Sequence, residues 1–222
     1  MAASGYLLTA LLAYLIGSIP TGFLVARFKG VDIRAHGSGN IGATNVLRVL
    51  GKPAGIFVLV MDALKGAAAV LLAPRMLASW VSPEEAHLYL PLVAGIGAIL
   101  GHTYTFWLNF KGGKGVATSG GVLAALVPPA FLITLATWIL IIAITRYVSL
   151  GSLIAATVLP FATALTGYPW PICSLTTVIG LLVIWRHRAN IQRLRTGTES
   201  RLGTPRADGG SPPPDSSKPP SS

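Results

Sequence analysis

"GVLAALVPPAFLITLATWILIIAIT", residues 121–145, decides the architecture. It is apolar and carries no charge. Read as one helix, it is long enough to cross a bilayer core of about 30 Å. Pro128 and Pro129 argue against one helix. Each lacks the N–H that the hydrogen-bond ladder needs, and its ring blocks the carbonyl one turn back. The stretch therefore divides into helices at about 117–127 and 130–145. The first is shorter than the ~20 residues of a full span, so a broken or partly re-entrant element is expected.

Similar apolar runs occupy about 4–26, 53–73, 88–101, 149–165 and 172–186, and "TGYPWP" at 166–171 punctuates the last two. Hydrophobic residues make up 52% of the 222-residue chain and charged residues only 11%, against about 25% in an ordinary soluble domain. Mean hydropathy is +0.66. The expected fold is all-α: a polytopic integral membrane protein of seven transmembrane helices. The opening "MAASGYLLTALLAYLIGSIP" lacks a basic leader region, so it reads as a retained first span.

Basic residues orient the spans. Arg27, Lys29, Arg34, Arg48 and Lys52 follow the first span; Lys111 and Lys114 follow the third; Arg146 follows the fifth. Arg186, Arg188, Arg193, Arg195 and Arg201 follow the seventh. Positive residues gather in cytoplasmic loops. Seven spans with the N-terminus outside and the C-terminus in the cytoplasm put all of these on one side. An alternative with fewer spans fuses the fourth and fifth segments and leaves the double proline unexplained. The net charge of +10 thus reflects topology, lipid headgroups and phosphorylated substrates, not nucleic acid. The membrane domain is expected over 1–202. The Pro/Ser-rich stretch 203–222 is expected as a disordered cytoplasmic tail.

One cysteine, Cys173, excludes an internal disulfide, and only seven carboxylates are present. Neither Cys/His spacing nor a carboxylate cluster suggests a metal. No cofactor is expected.

Three polar islands then stand out on the cytoplasmic side: "HGSGNIGATNVLR" (36–48), "GHTYTFWLNFKGGKGVAT" (101–118) and "RHRANIQRLRTGTE" (186–199). In the first, successive glycines can turn backbone N–H groups toward an anion. Ser38, Asn40, Thr44 and Asn45 add neutral donors, and Arg48 adds a bidentate one. In the second, Lys111 and Lys114 flank a glycine pair as point charges suited to an oxyanion. His102 reads equally as a helix-end cap or as a site residue. In the third, His187 and Asn190 share a helical face and can donate to a carbonyl or phosphate oxygen. Asp62 and Lys65, inside the second span, are expected to pair.

Taken together, the blocks "SGNIGATN" (38–45), 101–118 and 186–199 resemble, in order, the signatures of the acyl-phosphate-dependent glycerol-3-phosphate acyltransferases of bacterial membranes, the PlsY family. The resemblance covers about residues 5–200. It implies a seven-helix inner-membrane enzyme with its site facing the cytoplasm. Such an enzyme moves a fatty acyl group from acyl phosphate to the 1-hydroxyl of sn-glycerol 3-phosphate, giving lysophosphatidic acid and phosphate. It also implies His187, Asn190 and Ser38 as catalytic residues. Asn40, Gly42, Thr44, Asn45, Arg48, Lys111, Lys114, His102 and Ser149 become substrate contacts. Ser38 reads either as a phosphate ligand or as a nucleophile, and the base is either His187 or a substrate phosphate. The alternative function is a membrane transporter of a phosphorylated solute.

Overall fold

The computed structural model describes residues 2–203, and these are helical without a strand. The expected tail, apart from Gly203, lies outside the described residues. In chain order the helices are α1 (Ala2–Ser18), α2 (Thr21–Phe28), α3 (Ala43–Leu50), α4 (Lys52–Leu77) and α5 (Pro83–Thr103). They continue with α6 (Val116–Leu126), α7 (Pro128–Thr145), α8 (Val148–Leu165), α9 (Trp170–Arg186) and α10 (Arg188–Arg195).

The double proline acts as expected. Helix α6 stops at Leu126 after 11 residues, and Pro128 and Pro129 open α7. Prolines are tolerated in a first turn, where their missing N–H has no helical partner anyway. Five segments are long and apolar enough to cross a membrane, starting at Ala2, Lys52, Pro83, Pro128 and Val148. Helices α9 and α10 pass the same test only as a pair, and that pair bends by 56°.

The first expected span differs in one respect. It breaks at Ile19 and Pro20 into α1 and α2. The freed carbonyls are satisfied from elsewhere in the chain: Thr105 Oγ1, just after α5, donates to Ser18 O at 2.6 Å, and Lys65 Nζ of α4 donates to Ile19 O at 2.7 Å. A break at membrane depth persists only with such partners. Lys65 also pairs with Asp62 at 2.8 Å, as its spacing suggests. Helix α5 starts five residues before its expected beginning because Ser82 and Glu85 form a capping box.

Close helix approach rests on glycine, since lipid gives apolar helices no hydrophobic reason to associate. A Cβ on Gly17 or Gly101 would overlap backbone carbonyls across the α1–α5 contact. A Cβ on Gly66 or Gly121 would do the same between α4 and α6. Large apolar side chains such as Leu64, Leu140 and Leu181 point outward, as a lipid-facing surface requires. The interior holds the main apolar cluster, centred on residues such as Ile99, Val122 and Ile179. A second cluster, with Ile33, Ile41 and Val46, packs the first polar island onto α2 and α4.

Candidate functional site

The three polar islands converge on one cavity of about 230 Å³. Its wall includes Ser38, Thr44 and Arg48 from the first island, Lys114 from the second, and His187 and Asn190 from the third.

The first island is built around Asn45, which is 2% exposed. Its Nδ2 donates to the carbonyls of Ile33 (3.2 Å), His36 (3.0 Å) and Asn40 (2.9 Å). Its Oδ1 accepts from Ser38 N at 2.8 Å. Gly37 has φ +60°, and a Cβ there would overlap Asn45 Oδ1. Gly39 N donates to His36 O, and Gly42 N to Asn40 Oδ1 at 2.8 Å. This corrects the expected anion nest. The amides of Ser38, Gly39 and Gly42 are spent inside the loop. Asn45, although it borders the cavity, organises that loop and does not offer its amide to a substrate. Side chains face the cavity instead: Ser38, Thr44 and, one turn along α3, Arg48.

The second island also changes meaning. Gly112 N donates to Thr103 O and Gly113 N to His102 O, each at 3.1 Å. A Cβ on Gly113 would overlap the His102 ring. The glycine pair thus lets the chain fold back onto the end of α5. Arg186 fastens it from α9, donating to Gly113 O at 3.0 Å. The result aims Lys114 into the cavity. Lys111 is exposed and lies outside the cavity wall, so the structure does not bring it together with Lys114. His102 is buried at the cavity wall with its Nδ1 3.7 Å from Asp62 Oδ1.

In the third island, His187 sits at the bend between α9 and α10. Its Nδ1 lies 2.7 Å from Val183 O. A carbonyl only accepts, so Nδ1 carries the proton and Nε2 keeps a lone pair. Asn190 Oδ1 accepts from Lys114 Nζ, and its Nδ2 donates to Glu199 Oε1 at 2.7 Å. Glu199 Oε1 also accepts from Ser149 Oγ at 2.7 Å, and Oε2 from Arg193 Nε at 2.7 Å. Ser149, expected as a phosphate contact, therefore spends its proton on Glu199.

Glu199 and Arg193 were not among the expected site residues. Burial alone would raise the Glu199 pKa; the hydrogen bonds from Ser149, Asn190 and Arg193 hold it below the usual carboxylate range. Lys114 is pushed down to about 8, mainly by burial and further by Arg193 and Arg48, against the opposing pull of Glu199.

The polar cavity meets an apolar groove of about 270 Å³ between α4, α6, α7, α8 and α9. The two share Leu59, Val116, Ala117, Trp138 and Ser152. At this junction Trp138 Nε1 donates to Ser152 Oγ at 3.2 Å.

Residues 7–197 match the family model described as glycerol-3-phosphate acyltransferase. A glycerol-3-phosphate acyltransferase of Geobacter sulfurreducens is 50% identical over 196 residues, covering 88% of this chain and 96% of the relative. One from Thermosynechococcus vestitus is 46% identical, covering 88% and 94%. Among solved structures, the glycerol 3-phosphate form of PlsY (YgiH), an integral membrane glycerol 3-phosphate acyltransferase, superposes with TM-score 0.81. Identity there is 42%, covering 89% of this chain and 96% of that one. Its lysophosphatidic acid form gives TM-score 0.79 at 41% identity, covering 89% and 95%.

Replacing Asn45 by Ala removes the hub of the first loop. At about 1 kcal/mol net per hydrogen bond, the variant should lose roughly 2–4 kcal/mol. Hydrogen exchange should report faster amide exchange at Ser38, while amides of α8 stay protected. Unchanged protection at Ser38 would contradict the hub.

Proposed function

The chain belongs to the glycerol-3-phosphate acyltransferase family, and on that basis we propose acyl phosphate as its donor and the 1-hydroxyl of sn-glycerol 3-phosphate as its acceptor. The products are lysophosphatidic acid and phosphate, in phospholipid biosynthesis. The observation that carries the donor assignment is the junction. A cationic polar cavity opens directly onto an apolar groove, which suits a molecule with a phosphate at one end and a hydrocarbon chain at the other.

In this reading the chain crosses the bacterial inner membrane seven times, with the N-terminus outside and the site at the cytoplasmic edge. Support comes from five full-length apolar segments, the short α6, the bent α9–α10 pair and the basic residues gathered at one end. A transporter would need polar groups continuing past the cavity; here the cavity gives way to apolar wall.

The acyl group lies in the groove with its carbonyl near Trp138 and Ser152. Ser38 and Thr44, with the N-terminal end of α3, hold the donor phosphate, and Asn40 and Gly42 shape that turn. Arg48 and Lys114 hold the acceptor phosphate. The 1-hydroxyl oxygen attacks the acyl carbon, the bond from that carbon to the phosphate oxygen breaks, and phosphate leaves. His187 Nε2 takes the hydroxyl proton. Acyl phosphate is already activated, so positioning and charge stabilisation suffice and no cofactor is called on. Ser38 serves as a binder. A nucleophilic serine needs an adjacent base, and among the described residues its hydroxyl makes no hydrogen bond to a histidine.

Purified protein in detergent, given palmitoyl phosphate and glycerol 3-phosphate, should form lysophosphatidic acid detectable by mass spectrometry. Acyl-CoA in place of acyl phosphate should give none. Absence of product from acyl phosphate would refute the reading. In the same assay His187→Gln should lower kcat by about 10²–10⁴-fold. Near-normal turnover would pass the base role to a substrate phosphate.

A further inference from the structure

Three glycines border the apolar groove, and two of them are explained by packing. A Cβ on Gly121 would overlap Ala63 O, and one on Gly180 would lie 2.6 Å from Ala156 O. Gly120 is different. A Cβ there would meet only the ring of Phe131, at 3.8 Å, which is ordinary van der Waals contact. No neighbouring backbone requires glycine at this position. A glycine inside a helix costs about 1 kcal/mol relative to alanine. What its missing side chain leaves is open groove, facing Phe131 across the cleft.

The groove's dimensions say what that space admits. From the junction to the far wall, the lining runs from Ala117 to Ala124 on α6, from Trp138 to Phe131 on α7, and from Ser152 to Leu159 on α8. At 1.5 Å per residue each path is about 10 Å long. One leaflet of the hydrocarbon core is about 15 Å deep. The groove thus shelters about two-thirds of a membrane-length chain. Gly120 lies three residues beyond Ala117, about 4.5 Å into it. The adjacent Ser119 also borders the groove. Its hydroxyl is buried without a hydrogen-bond partner among the described residues, a costly arrangement in an apolar wall unless a polar group reaches it.

We infer that Gly120 is a specificity-determining residue, whose absent side chain admits the long hydrocarbon chain of the donor past Phe131; the inference rests on the acyl-phosphate reading above. Any side chain at 120 narrows the passage. It obstructs chains that must run the length of the groove more than chains ending before it.

The test compares kcat/KM for palmitoyl phosphate and butyryl phosphate in wild type, Gly120→Ala and Gly120→Leu. The added methyl of alanine should lower the palmitoyl-to-butyryl ratio about threefold, and leucine about 100-fold. The KM for glycerol 3-phosphate reports whether the polar cavity is intact. If leucine prevents folding, the alanine variant carries the comparison. An unchanged ratio in the variants, with both donors reduced equally, would overturn the role of Gly120 and leave the donor assignment standing. Wild-type protein that turns over neither donor would overturn both.

Discussion

The buried carboxylate of Glu199 is the constraint on which the site depends. Taking a charge out of water costs several kcal/mol unless it is hydrogen-bonded on both oxygens. Here Ser149 and Asn190 satisfy one oxygen, and Arg193 satisfies the other. Those donors come from α8 and α10, so the carboxylate holds α10 folded back at 56° to α9. Asn190, oriented by Glu199, then receives the ammonium of Lys114. The segment after α10 is held in turn, because Leu202 N donates to Arg146 O and the Arg146 guanidinium donates back to Leu202 O. The same carboxylate draws in Lys114 and Arg193 while the cavity stays net cationic.

This arrangement also separates two environments within a short distance. On one side of Trp138 and Ser152 the cavity is lined by cations and amides; on the other, the wall is aliphatic. Acyl transfer between a water-soluble phosphate ester and a membrane-soluble chain needs both. In the proposed reaction the bond that breaks lies where they meet. Polar residues crowded at one end of the bundle, which looked like loops in a greasy chain, are the consequence.

Much of this was legible in the chain itself. Pro128 and Pro129 divide α6 from α7 because proline cannot donate to the ladder, and that chemistry is local. Asp62 pairs with Lys65 because three residues place both on one helical face. The break at Ile19 was hidden: one proline in a continuous apolar run ends a helix only when distant groups such as Lys65 and Thr105 satisfy the freed carbonyls. The glycines of the first island were read as an anion nest. Asn45, which takes up their amides, declares that role only when the loop closes on it. Glu199 was missed because a lone acid after a basic run reads as charge compensation. Its meaning comes from Ser149, fifty residues earlier in the chain.

The central claim is that one partly buried lysine, Lys114, positioned through Asn190 and Glu199, binds the acceptor phosphate. The pH dependence of the KM for glycerol 3-phosphate tests it most directly. Burial places the Lys114 pKa at about 8, well below an ordinary lysine, while a phosphate monoester is already dianionic above about pH 6. The binding form is the ammonium, so affinity is intact below pH 8 and falls as the pH rises through that value. Wild-type KM should therefore rise by up to about tenfold per pH unit above 8. Lys114→Arg, which keeps its charge at any accessible pH, should show no such rise. A flat wild-type profile, or the same break in the arginine variant, would contradict the account.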